Sequence, residues 1–455
     1  MKAVSEKELF EEMPVPKAVA ALAVPTIISQ VVSMIYNLAD TFFIGQLGDP
    51  YMVAAVTLVY PWFSLLTALG NLFGIGGSSM VSRFLGLHRR DDARRVSSFC
   101  FYGGIAATLA FSLLSFAFME PVLFFLGASA ENYRYASSYF FWVVVIGGVP
   151  TMMTLTMAHL LRGEGRARIA SAGMMAGGFI NMALDPVLIF GAGMDVRGAA
   201  IATAFSNLAS MLFFVALLYR GRGESTLSAN PADFSPRYVG QTMSVGLAAA
   251  LAITLANLSA MTIVKLSSGY GDVAVAAYGI VKKIDQLPLC VSTGLYQGFM
   301  PLVSYNYAAK NFKRMKDVAV FSWKTSIVIT ALFVAAFLVF SREILGEFID
   351  DAQTAALGSS FLRIACLAVP LTGVNAQISY TLQAMGRGLG SAALITCRQG
   401  FLNIPILCLM NRFVGLYGMI WTQLIVEVIM FPVSLLMYAA ELRRIKREEG
   451  AGRAA

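Results

Sequence analysis

Long apolar runs separated by short polar punctuation dominate the chain. Twelve stand out, at roughly 18–46, 51–80, 96–119, 133–159, 169–190, 198–219, 239–266, 273–308, 318–341, 353–382, 391–411 and 415–440. A helix needs about 20 apolar residues to cross the hydrocarbon core of a bilayer. Runs longer than that are expected to tilt or to extend into water. Nine of the fifteen prolines fall inside the runs (Pro25, Pro61, Pro150, Pro186, Pro288, Pro301, Pro370, Pro405 and Pro432), and each removes a helix hydrogen bond and invites a kink. Packing geometry accounts for most of them; Pro25 and Pro186 are the predicted hinges. The pattern predicts an all-α integral membrane protein of twelve transmembrane helices.

One polar segment, residues 220–238, is rich in Gly, Ser and Pro and is the only long linker between spans. It predicts a leader (1–17), a first lobe of six spans (18–219), a linker (220–238), a second lobe of six (239–440) and a basic tail (441–455). The two lobes echo each other. Gly76 matches Gly298, Ser82 matches Ser304, Pro150 matches Pro370, and Gly178-Phe179-Ile180-Asn181 matches Gly400-Phe401-Leu402-Asn403, all at offsets of 220 to 223. Ordered matches at a steady spacing indicate an internal duplication. Each half has an even number of spans, so both enter from the same side. The expected result is two pseudo-symmetric six-helix bundles, related by an axis along the membrane normal, around a central cleft that holds the substrate.

Composition agrees with a polytopic membrane protein: of 455 residues, 57% are hydrophobic and only 13% charged, against about 25% charged in soluble domains. The net charge of +8 is not a nucleic-acid signal, because of where it lies. With both termini cytoplasmic, the inner segments hold 24 of the 34 Lys and Arg residues and the outer loops only Arg134, Arg197, Arg342 and Arg412. That asymmetry is the positive-inside rule, and it predicts a multi-pass protein of the cell (inner) membrane. The mixed-charge leader runs into the first span without a small-residue cleavage site, so no removable signal is expected. The five cysteines all lie in apolar runs and read as small hydrophobes. Two distant histidines, His88 and His159, exclude a multi-histidine metal site. No cofactor is expected, and a monomer is.

The candidate chemistry begins at Asp40. Between Lys17 and Arg83 the only other charge is Asp49, in a Gly-Asp-Pro turn. A carboxylate in a lipid-facing helix costs several kcal/mol, so an intramembrane acid points to an ion or a proton. Tyr36 and Asn37 share its helical face at i−4 and i−3. On span 5, Asn181 and Asp185 are again i and i+4, and Pro186 leaves the carbonyl of Met182 without its helix donor. Span 6 carries Thr203 behind a run of small residues that permits close helix approach. If these spans face one another, two carboxylates, an amide and a hydroxyl converge. Such a cluster can hold and release a proton, or it can ligate Na+ through hard oxygens. The residues do not choose between these.

The same residues carry a family resemblance. The stretches YNLADTFFIGQLG (36–48), NMALDPVLIFGAGMDVRGAAIAT (181–203) and GFMPLVSYNYAAKNFKRMK (298–316) resemble signatures of the multidrug-and-toxin-extrusion (MATE) transporters, especially the MepA-like bacterial branch. The resemblance covers the whole chain. It implies a V-shaped cavity between two lobes and export of cationic amphipathic compounds against entry of H+ or Na+. It also implies that Asp40, Asn181, Asp185 and Thr203 form the coupling-ion site. One departure stands out. Some branches place an acidic cation site on spans 7 and 10, where this chain has no Asp or Glu, so coupling is expected in the first lobe. The second lobe does carry Lys282 and Asp285 at i and i+3, Arg363, Arg398 and Glu427. Asp285, Glu427, Arg398 and Lys282 either line the substrate cavity or pair with one another as structural ion pairs.

Three rival readings fit less well. A lipid-linked or glycolipid flippase of similar two-lobe plan would want a basic cleft, and spans 1 to 6 carry almost no internal base. A major-facilitator transporter is disfavoured by the inner loop 86–95, which lacks that superfamily's Asp-Arg-Gly pattern. A membrane-embedded enzyme would need clustered metal-binding acids or a catalytic His, and His159 at a span end is a poor candidate.

Overall fold

The computed structural model describes residues 5–220, 225–348 and 351–454. The first four leader residues, linker residues 221–224, residues 349–350 and the last tail residue lie outside the described residues. The first half comprises α1 (Val15–Gly45), α2 (Pro50–Gly86), α3 (Arg90–Ala117), the short α4 (Met119–Leu126), α5 (Tyr133–Phe140), α6 (Gly148–Gly163), α7 (Ala167–Pro186) and α8 (Asp195–Arg220). The second comprises α9 (Val239–Ser267), α10 (Asp272–Ala308), α11 (Phe312–Phe348), α12 (Ala352–Ala365), α13 (Val369–Ala384), α14 (Gly388–Thr396), α15 (Asn403–Phe413) and α16 (Leu416–Ala454).

Among the described residues ten helical stretches are long and apolar enough to cross a membrane. Residues 133–163 supply an eleventh as a pair of segments bent by 47°. The twelfth expected passage is α10. Its 37 residues span about 55 Å at 1.5 Å per residue, ample for a bilayer. Its apolar run is interrupted by Lys282, Lys283 and Asp285, which sit mid-helix. It is nonetheless inside the bundle, packed along α1, α2, α11, α12 and α13. Leu113, Leu114, Leu332 and Leu436 are among the large apolar side chains that face outward, as a lipid-facing surface requires.

Two of the predicted spans change helix type part-way, and the first of them is also bent. The wide turn Phe141–Ile146 precedes α6, and the tight turn Cys366–Ala368 precedes α13. Pro150 and Pro370 stand just after these turns, in the first turn of α6 and α13. A proline there lacks only an N–H that has no helical partner anyway.

The duplication is visible in the backbone. Left-handed residues end or join helices at Gly48, His88, Gly165 and Gly193 in the first half and at Gly271, Lys310, Gly386 and Gly415 in the second. The offsets, 221 to 223, match those of the sequence repeat. The halves meet along two equivalent seams. In one, α2 crosses α9: a Cβ on Gly76 would collide with the Thr242 carbonyl, and one on Gly246 with that of Leu72. In the other, α10 crosses α1, and a Cβ on Gly298 would collide with the Ala23 backbone. The matched Gly76 and Gly298 are thus the crossing points of the two seams, where only a hydrogen lets the backbones meet.

At the end that carries both termini the halves are fastened together. Ser79 Oγ donates to the Gln383 carbonyl at 2.8 Å. The segment before α1 lies between the halves: Phe10 stacks on Tyr305 at 4.6 Å, and Arg314 donates to the carbonyls of Phe10 and Met13. Glu6 pairs with Arg90 of the first half at 2.6 Å. Linker residues dock on the first half, where Tyr102 holds the Ala229 carbonyl and Tyr238 donates to Asp92.

Candidate functional site: an oxygen cluster in the first half

The cluster is built by α1, α7 and α8. Regular helix in α7 ends at Pro186 and passes into the wide turn Val187–Gly191. Gly198 then lets α8 fold back tightly, since a Cβ there would lie 2.8 Å from the Leu188 carbonyl carbon. This return brings Thr203 beside α7. The Asn181 amide nitrogen donates to Asp185 Oδ1 at 3.4 Å and to Thr203 Oγ1 at 3.5 Å, both long. Asp185 is fully buried and Asn181 nearly so.

Asp40 faces this group from α1, within electrostatic reach of Asp185. Three oxygens in the cluster are buried without a hydrogen-bond partner: Asp40 Oδ1, Asn181 Oδ1 and Asp185 Oδ2. A buried unpaired carboxylate oxygen is costly. Three together make a donor set that a proton or a small cation would satisfy.

The sequence places Tyr36 and Asn37 in support of the cluster. The ring of Tyr36 lies against α7, 2.9 Å from where a Cβ on Gly178 would be. The Asn37 amide instead donates to the Ser33 carbonyl of its own helix at 2.7 Å, and the residue is exposed. One neighbour has no signal in the spacing of the polar residues. Tyr139 on α5 is buried and within electrostatic reach of both Asp40 and Asp185. It belongs to an apolar core cluster with Ile44, Ile189, Ala199 and Ala200. Only an unexplained tyrosine in a span could have signalled it. Of the two expected hinges, Pro25 lies inside a continuous α1, and Pro186 stands at the change of helix type next to Asp185.

The second-half charges divide into two groups. Glu427 is wholly buried and paired with Arg398 at 3.0 Å; it also accepts from Asn375 at 2.7 Å and Gln423 at 2.8 Å. That is an internal ion pair in which both Glu427 oxygens are satisfied. Lys282 and Asp285 are 3.9 Å apart and line a cavity of about 220 Å³.

Comparison with known proteins decides what the architecture is. The MatE family matches residues 25–187 and again 248–409. The chain belongs to the MATE family. Curated relatives include the "Multidrug export protein MepA" of Staphylococcus aureus strain MSSA476, 32% identical over 428 residues, covering 94% of each chain. That of Staphylococcus haemolyticus strain JCSC1435 is 32% identical over 437 residues, covering 95% of this chain and 96% of the other. Among solved structures, the fold resembles an "Outward-facing conformation of a multidrug resistance MATE family transporter of the MOP superfamily". Its TM-score is 0.92 at 23% identity, covering 98% of this chain and all of the other. It also resembles a single-residue mutant of the Vibrio cholerae MATE transporter VcmN, with a TM-score of 0.87 at 19% identity over 94% of this chain and 97% of the other. The protein is therefore a multi-pass membrane transporter of the MATE family and not an enzyme.

Proposed function

We propose that this MATE transporter exports cationic amphipathic drugs or toxins in exchange for H+ or Na+, by alternating access between its two halves. The observation that carries the reading is the set of three unpartnered, buried oxygens on Asp40, Asn181 and Asp185. The name of the curated relatives supports drugs as the substrate class.

With the ion site empty, drug binds between the halves. Ion entry at Asp40 and Asp185 removes the unpaired negative charge, repacks α1 against α7 and lowers drug affinity. Release follows on the outer side, and the ion leaves inward on return. With both termini cytoplasmic, the fastened end described above faces inward. A potential of about 150 mV supplies ~3.5 kcal/mol per charge moved, some 2.5 decades of concentration. Exchange of one monovalent drug for one H+ is electrically neutral, and the pH gradient then supplies the drive.

A flippase for anionic lipid headgroups is less well supported, because spans 1 to 6 carry almost no internal base and the buried Arg398 is paired with Glu427. The test is transport in proteoliposomes loaded with a fluorescent cationic dye, with proton and sodium gradients imposed separately. One of the two should move the dye, and Asp40→Asn should abolish that movement while the protein still inserts and purifies normally. Full efflux by Asp40→Asn would remove the proposed coupling site. Movement of dye by neither gradient would favour the flippase.

A further inference from the structure

The cavity inside the second half is walled by α9, α10, α16, the α12–α13 junction and the turn into α15. Its volume of about 220 Å³ would hold roughly seven waters at ~30 Å³ each. That is room for an ammonium group and a short stem. We propose that it docks the ammonium end of the exported organic cation on Asp285, and that Lys282 is a built-in competitor for that carboxylate. The proposal rests on the export reading above and adds where the positive charge is held.

Four observations support it. First, Asp285 is only 6% exposed, lines the cavity, and has one oxygen buried without a partner. Second, its other oxygen meets Lys282 Nζ at 3.9 Å, well beyond the 2.7–2.9 Å of a charge-assisted hydrogen bond. The lysine therefore satisfies the acid poorly, and its side chain, not packed in on all sides (44% exposed), can move aside on its flexible stem. Third, Lys282 Nζ lies 5.7 Å from the Tyr278 ring centroid. This is a cation–π position that an incoming ammonium can take over. Fourth, the polar side of the cavity is fixed in place. Ser259 donates to Asn403 at 2.5 Å, Asn403 to Gln423 at 3.2 Å, and Gln423 to the buried Glu427.

The duplication gives the pocket its context. Asn403 is the counterpart of Asn181 at offset 222. In the first half the amide sits among carboxylates from α1 and α7. In the second its neighbours are neutral, and the acid is delivered from α10 together with its own cation. The first pocket is thus left with uncompensated negative charge, suited to a small ion. The second is balanced by Lys282 and admits a ligand cation only by exchange.

Exchange makes opposite predictions for the two partners, which a purely structural ion pair does not. The probe is dansylcadaverine, a primary ammonium on an environment-sensitive fluorophore, titrated into the purified full-length protein in detergent. Asp285→Asn should raise its Kd at least tenfold. Lys282→Gln should lower its Kd several-fold, because the competitor is gone. The N-acetylated, uncharged probe should show neither effect. Thermal midpoints check that both variants fold; if Asp285→Asn does not, the direction of change in Lys282→Gln decides alone. Weaker binding in Lys282→Gln, or a Kd unchanged in both variants, would overturn the docking site and leave the export reading standing. No binding to the wild-type protein would overturn both.

Discussion

Glu427 is wholly buried, yet every charge around it is accounted for. Arg398 neutralises it, and Asn375 and Gln423 satisfy its oxygens. Removing one partner of such a pair leaves the other charge buried and alone, at a cost of roughly 3–5 kcal/mol. Arg398→Ala should therefore lower the thermal midpoint sharply, and Arg398→Met combined with Glu427→Gln should recover most of the loss. If Arg398→Ala leaves the midpoint unchanged, the pair is not a structural lock. The oxygens of the first half differ in kind, because they are left unpaired. Asn181 and Asp185 could be read from sequence because i,i+4 spacing puts them on one helical face, and Asp40 because an acid is conspicuous in an apolar run. Tyr139 could not, because only the bend before α6 and the packing of α5 bring it there. Nor could the difference between Glu427 and Asp285, since what sets them apart is the partners that tertiary packing supplies.

The helices themselves were legible from hydrophobic run length, and α10 shows where that signal weakens: three mid-helix charges interrupt its apolar run without shortening the helix. Pro150 and Pro370, expected to serve packing, stand just after the changes of helix type before α6 and α13, and only the first of these is a sharp bend: a proline marks a kink without saying how far a helix turns. The seams were only half visible. Gly76 and Gly298 appeared as a matched pair, and their reason, a backbone crossing on each side of the pseudo-symmetry axis, needs the partner helix. Gly246→Val places its Cβ 1.8 Å from the Leu72 carbonyl oxygen. Overpacking alone costs about 1–3 kcal/mol, and here the obstacle is backbone, which cannot turn aside. The variant should misassemble or separate α2 from α9, read as loss of the monodisperse peak on size-exclusion chromatography. Gly240→Val, on the same helix with open space around it, should behave as wild type. Equal behaviour of the two would mean the seam is looser than described.

For the whole molecule, the fastening at the terminal end is the feature that relates structure to cycle. Phe10, Arg314 and Tyr305 tie the leader to the second half, and Glu6 with Arg90 ties it to the first. Alternating access requires these ties to break and re-form. Arg314→Ala removes the donor to two leader carbonyls and should shift the population toward opening at this end. Labelling of a cysteine placed at Ser79, in a background without the five native cysteines, should become faster; an unchanged rate would show that the leader does not hold the halves together. The direction of the cycle depends in turn on the oxygen cluster. Its most direct test is to run the exchange backward: impose a dye gradient across proteoliposomes with no ion gradient, and record proton and sodium flux. Dye should drive one of the two ions in the opposite direction in the wild-type protein, and Asp185→Asn should bind dye yet drive neither. Ion flux in Asp185→Asn equal to wild type would contradict the account at its centre.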